Sequence, residues 1–193
     1  TAPTKIEGVH LTSGSVSGRS FVGGLVGTLS GSAIRRSSTG CSVSGVVQHI
    51  GGLLGSANSP STVEECHATG AVTVTGADLG QSVGGLVGSW PDNSTITASY
   101  ALGNVTGKEE VGGLVGLNAG EISGSFARGS ATGTERVGGL VGWNWYGKIS
   151  RCFASGAATA TGLAVGGLVG ANTMLSVRSE IANCYAMGAV QGT

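Results

Sequence analysis

The chain has 193 residues, 38 of them glycine, with only 10% charged and 5% aromatic. Average glycine usage is near ~7%. A disordered linker carries more charge, collagen has Gly at every third position with abundant Pro, and a membrane-spanning helix needs roughly 18 consecutive apolar residues, so the composition excludes all three. Ten basic residues balance ten acidic ones, which gives no electrostatic reason to expect nucleic acid or an anionic membrane as partner.

The N-terminus, Thr1-Ala2-Pro3-Thr4, has no starting Met and no signal-peptide pattern, and Gln191-Gly192-Thr193 stops in mid-pattern. Residues 1–193 are therefore expected to form a single repeat domain that is a segment of a longer protein. The run Thr12-Ser13-Gly14-Ser15-Val16-Ser17-Gly18 is a partial copy of a motif that recurs downstream. The hexapeptide V-G-G-L-V-G then appears six times, with Ile50 and Leu54 replacing Val in the second copy, starting at Val22, Ile50, Val83, Val111, Val137 and Val165. The spacings are 28, 33, 28, 26 and 28 residues, the longest carrying an insertion around Thr73 to Ser82. A second motif follows each hexapeptide. It reads I-T-A-S-Y-A-L-G-N-V-T-G from Ile96, I-S-G-S-F-A-R-G-S-A-T-G from Ile122, I-S-R-C-F-A-S-G from Ile149 and I-A-N-C-Y-A-M-G from Ile181.

Aligned copies give columns. One is Leu25, Leu53, Leu86, Leu114, Leu140 and Leu168; another is Val43, Ala68, Ala101, Ala127, Ala154 and Ala186; a third is Val16, Val47, Val72, Val105, Ala131, Ala158 and Val190. Residues 125–131 alternate between small or apolar and more varied positions, the period of a strand. Glycine at this density argues against ordinary helices. A unit of 26–33 residues cannot bury its own apolar face, whereas stacked copies can, and it is shorter than the ~40 or more residues of a propeller blade. The expected fold is all-β: a parallel β-solenoid, or β-helix, of about six coils, with equivalent residues ~4.8 Å apart along the axis.

The six copies of G-L-x-G, from Gly24-Leu25-Val26-Gly27 to Gly167-Leu168-Val169-Gly170, followed by I-x-x-S-Y-A-x-G-x-V-x-G, resemble the GLUG repeat. The resemblance implies a modular, non-catalytic region of a large secreted or surface-attached bacterial protein, as in adhesins and the non-catalytic part of IgA-specific metallopeptidases. It carries no catalytic residues to this chain. The first full copy departs from the pattern, with Cys41-Ser42-Val43-Ser44-Gly45 where the I-x-x-S-Y-A run belongs.

Chemistry is sparse. The glycine motifs lack the Lys and helix of a phosphate loop and are structural, relieving crowding and allowing turns with positive φ. The acids, among them Asp78, Asp92, Glu121 and Glu180, fall mostly in different columns; Glu109 aligns with Glu135, and Glu110 with Arg136 as a surface pair. Metal spacings are absent, so no catalytic residue, metal ligand or cofactor is expected. His67 takes a ring position in the file Tyr100, Phe126, Phe153, Tyr185.

Cys41, Cys66, Cys152 and Cys184 fall in one column with His10, Ser99 and Ser125. Neighbouring coils set Cα atoms inside disulfide range, so pairs 41–66 and 152–184 are candidate bridges, against the alternative that Cys replaces Ser in a tight interior file. Asn118, Asn144 and Asn172 suggest an amide ladder. Thr73, Thr106, Thr132 and Thr159 form an outward file, ended by Gln48 and Gln191, with a broken second file at Thr75, Thr134 and Thr161, which opens an ice-binding reading. Trp90, Trp143, Trp145 and Tyr146 lie in one turn region and are candidate contacts for a glycan or for a host or matrix protein. The favoured function is a stalk, spacer or adhesive surface, secreted or at the cell surface, with end-to-end self-association through unpaired terminal strands.

Overall fold

A computed structural model describes residues 4–76, 81–173 and 179–193. Glycine punctuates the chain so often that no element exceeds five residues, and among the described residues every regular element is a strand. One coil consists of Thr95–Thr97, Tyr100–Ala101, Val105–Thr106, Glu109–Gly112 and Val115–Asn118. The next consists of Glu121–Ser123, Phe126–Ala127, Ala131–Gly133, Glu135–Gly138 and Val141–Trp145. Each strand pairs in parallel with its equivalents one repeat before and after, so five sheets run the length of the molecule, three with seven strands and two with six. The fold is a β-solenoid. We name its sheets in chain order by a residue that recurs in each: Ile, ring, Thr, Val and Asn sheets.

The interior has two lobes. The larger is lined from the Ile, ring and Asn sheets and the leucine file, including Ile96, Ala101, Leu114 and Val115. The smaller is lined from the Thr and Val sheets, including Val72, Val83, Val105 and Val111. Leu53, Leu86, Leu114 and Leu140 are fully buried in one file. Between the lobes the walls nearly touch. A Cβ on Gly113 would lie 2.9 Å from Ala127 Cβ and would strike the carbonyl oxygen of Gly139 in the next coil; Gly85 stands in the same relation to Ala101 and Gly113. This waist explains why Gly and Ala repeat in step: a larger residue in either column forces the walls apart. The hexapeptide glycines are there for this close approach and not, as the sequence suggested, for positive φ, which none of them has.

Positive φ falls at the corners and is carried mostly by residues other than Gly. One corner column is Phe21, His49, Ser82, Glu110, Arg136 and Ala164; another includes Arg36, Glu65, Ala98, Arg151 and Asn183; a third includes Asn93 and Tyr146. Holding such residues in the left-handed region costs on the order of 1 kcal/mol or more each, and the coil closure enforces it.

The register corrects one copy. His67 pairs with Ser38 and Ala68 with Thr39, while Val72 pairs with Val43. The I-x-x-S-Y-A run of that copy is therefore Ile34 to Thr39, with Ser38 in the ring position and Thr39 in the Ala position. Everything the sequence placed between residues 41 and 47 is displaced by four. Val43, not Val47, belongs to the valine column, and Ser44, not Gln48, continues the Thr file. Cys41 does not stand over Cys66, whose partner position is Ser37. His10 pairs with Ser38, so it belongs to the ring column and not the cysteine column.

Candidate functional site

The corrected cysteine column is a relay. At the corner between the Ile and ring sheets one backbone N–H per coil points away from the ladders and needs a partner. Val9 N–H donates to Ser37 Oγ (3.1 Å), Cys66 N–H to Ser99 Oγ (3.1 Å), Ser99 N–H to Ser125 Oγ (3.1 Å) and Cys152 N–H to Cys184 Sγ (3.4 Å). Each hydroxyl or thiol donates in turn to the carbonyl two residues earlier, as Ser99 does to Thr97 (2.8 Å) and Cys152 to Ser150 (3.1 Å). Cysteine here does the work of serine. All four cysteines are free thiols. Burial pushes the Cys152 thiol up to about 11, and pushes Cys66 up as well, so neither is a nucleophile at neutral pH. Cys152 and Cys184 are neighbours in the column, whereas Cys41 has Gly70 beside it and donates to Ser13 O at 3.4 Å; the 41–66 bridge is ruled out by the register.

On the outer face of the ring sheet, His67, Tyr100, Phe126, Phe153 and Tyr185 stack with centroids 4.7, 4.8, 4.8 and 5.2 Å apart and planes within 6°. Inside the Asn sheet, Asn118 Nδ2 donates to Asn144 Oδ1 and Asn144 Nδ2 to Asn172 Oδ1, both at 2.8 Å. Trp90 pairs with Asn118 in this inward column and is fully buried. It is therefore no ligand contact, contrary to the sequence reading. The Thr file, continued by Ser44 and Ser17, is one residue wide, and Lys108 interrupts the file beside it.

The left-handed corner before each hexapeptide gathers charge. Glu110 is buried, accepts a 2.5 Å hydrogen bond from Ser82 Oγ and lies 3.6 Å from Arg136. Arg136 is 2.8 Å from Glu109 and 3.8 Å from Glu135, and its guanidinium covers the Trp143 ring at 5.0 Å. Burial holds the Glu110 carboxyl above its ordinary range, against the lowering effects of Ser82 and Arg136. This is no surface pair: three carboxylates share one guanidinium. His49, two steps from Glu110 in the same corner column and stacked on Phe21 at 5.1 Å, is held below its ordinary value by burial.

At the corner between the Asn and Ile sheets lies an open cleft of about 580 Å³, lined by residues that include Asp92, Asn93, Ala119, Gly120, Glu121, Tyr146 and Lys148. Trp143 and Trp145 stack at 5.5 Å, and Trp145 meets Tyr146 at 4.8 Å with planes tilted 34°. All three rings are half-buried. Trp143 Nε1 donates to Thr173 Oγ1 at 2.7 Å. The structure thus brings three of the four candidate aromatics together beside a cleft. The sequence reading missed the cleft's other residues, whose signal was the unequal length of successive corners.

Among the described residues no group of three or more His, Cys, Asp or Glu is placed to hold a metal ion, and no helix is long and apolar enough to cross a membrane. Asp78 lies outside the described residues. No curated protein and no solved structure matches the chain. The family model of the GLUG motif matches residues 47–75, 133–161 and 161–191. With five unbroken parallel ladders and the motif matched at three places, the chain carries repeated GLUG motifs on a β-solenoid.

Proposed function

We propose that the chain is a non-catalytic, rod-forming module of a secreted or cell-surface bacterial protein, in which coil number sets reach. The observation that carries this reading is the continuity of the five ladders. Each coil adds the same ~4.8 Å rise, and contacts made chiefly between neighbouring coils let coils be added or removed. The GLUG motif fits an extracellular setting, since it is a feature of bacterial surface and extracellular proteins. The charged side chains support a non-catalytic role: Glu110, the one buried carboxylate among the described residues, is occupied by Ser82 and Arg136. Deleting residues 111–136 joins Glu110 to Val137 in the same column register and tests the reading. A folded, cooperatively melting protein, shorter by one rise in small-angle scattering, is expected. Loss of folding would sink the modular account. Antibody labelling of intact source cells tests the location; signal only after lysis would contradict it.

A second reading, saccharide binding, is favoured by the half-buried rings of Trp143, Trp145 and Tyr146, because such rings can stack on the apolar faces of sugars.

A further inference from the structure

The corner that joins the Asn sheet to the Ile sheet differs in length from coil to coil. Four residues, Pro91 to Ser94, separate Trp90 from the strand Thr95–Thr97. In the following coil only Ala119 and Gly120 separate Asn118 from the strand Glu121–Ser123. In the coil after that, Tyr146 and Gly147 follow Trp145, and the Asn sheet strand itself is one residue longer. The shortest corner is therefore flanked by two that project further. The cleft is the resulting notch: Ala119 and Gly120 form its floor, Asp92 and Asn93 one wall, Tyr146 the other. The walls belong to coils two rises apart, roughly 10 Å.

We propose that this notch binds a single neutral pyranose unit of a glycan. The inference deepens the saccharide reading and rests on it. Sugar recognition needs an apolar surface for the C–H face of the ring and a few convergent acceptors and donors for its hydroxyls. Tyr146 supplies the first, braced from behind by Trp145. The Asp92 carboxylate and the Asn93 amide, already oriented by their mutual 3.0 Å hydrogen bond, supply the second. Glu121 and Lys148, paired in register across neighbouring coils, also line the notch. Two carboxylates against one ammonium disfavour an acidic sugar.

Two further features belong to this corner. Tyr146 and Asn93 are held at φ +69° and +51°, a conformation that an aromatic residue rarely adopts and that Gly would take without strain. In addition, the buried Trp90 indole N–H has no partner. Its pyrrole edge lies behind the floor, since a Cβ on Gly120 would sit 2.8 Å from Trp90 Cδ1.

The test uses the full chain, saturation-transfer NMR and amide shift mapping. The probes are the methyl pyranosides of glucose, galactose and mannose, with methyl glucuronide as the acidic comparison. Transfer to at least one neutral glycoside is expected, with shifts at residues 92–95, 119–121 and 146–148. Tyr146→Gly and Asn93→Gly both relieve a left-handed strain, so both should fold with an unchanged or raised Tm while affinity falls about tenfold. Transfer to none of the neutral sugars overturns the notch and the saccharide reading together. Binding whose shifts map only to Trp143 and Thr173 overturns the notch and leaves the broader reading standing. Binding of the glucuronide alone, or unchanged affinity in both folded variants, overturns the proposal.

Discussion

The molecule holds two groups of aromatic residues built on opposite principles. In the ring file, His67 to Tyr185, each ring comes from a different coil and lies nearly coplanar with the next. Tyr100, Phe126 and Phe153 have both faces covered by neighbouring rings, and only the end rings, His67 and Tyr185, keep a free face. In the corner group, Trp143, Trp145 and Tyr146 come from one coil. Trp143 pairs with Leu117 on one side and Ala171 on the other, so the rings find one another within the coil at angles of 23–34°. A residue type that recurs in register is consumed by the stack. A residue that breaks the column is left with surface to offer, and it is there that binding chemistry is to be sought.

Breaking the stack itself should have the largest effect. Gly113→Val drives a side chain into the waist, against Ala127 and the next coil's backbone, and should cost more than about 3 kcal/mol. Gly31→Ala is its control: the site opens on solvent and only the left-handed φ of +57° opposes it, at about 1 kcal/mol. Denaturant melts of both variants measure the difference.

The Asn ladder comes next. Asn144→Leu removes both 2.8 Å inter-coil bonds and leaves buried amide groups short of partners, which should cost about 2–4 kcal/mol. Phe126→Ala removes two stacked contacts, with Tyr100 and Phe153, each worth about 0.5–1.5 kcal/mol beyond area burial. Trp145→Ala removes ring contacts only within its own coil, with Trp143 and Tyr146, interrupts no inter-coil stack, and should cost less than Phe126→Ala. Equal losses in these two variants would erase the distinction between file and corner.

The smallest effect is in pH. Burial raises Glu110, so the folded state prefers its protonated form. Its contribution is present in acid and is lost as pH rises from the ordinary carboxylate value of 4.5 through the raised one. His49 is lowered and acts in the opposite sense: its contribution is present above 6.5 and is lost as pH falls through the lowered value. Glu110→Gln should stabilise the protein at neutral pH and give no gain in acid. A gain that is the same at both pH values would contradict the burial argument.

The fold was legible because the period was: six hexapeptides fix six coils, and Leu and Ala columns follow by counting. The register failed where a copy lost its most visible residues. At Ser38 and Thr39 the ring and the Ala are both replaced, and the next cysteine, Cys41, imitated the missing run. Ile34, which pairs with Ile6 and Val63, was the anchor that would have fixed it. Trp90 was misread for a different reason. It stands seven residues after Val83, the offset of Asn118 from Val111, and so points inward, whereas Trp143 stands six after Val137 and points outward. Alternation decides the face, and sharing a turn does not. The cleft depends on differences in corner length, which an alignment of matching columns discards. The left-handed Glu110, Arg136 and Tyr146 carry no local sequence signal, because their conformation is imposed by coil closure.

The central claim, that equivalent residues climb the axis in equal steps, is tested most directly by distances along one outward file. Spin labels on cysteine-substituted pairs Ser17/Thr159 and Ser17/Gln191, in a background with the native cysteines replaced by serine, lie five and six coils apart in the observed register. Pulsed electron resonance should give about 24 Å and about 29 Å, narrow and separated by one rise of about 4.8 Å. Broad distributions, or two distances that do not differ by one rise, would contradict the stack.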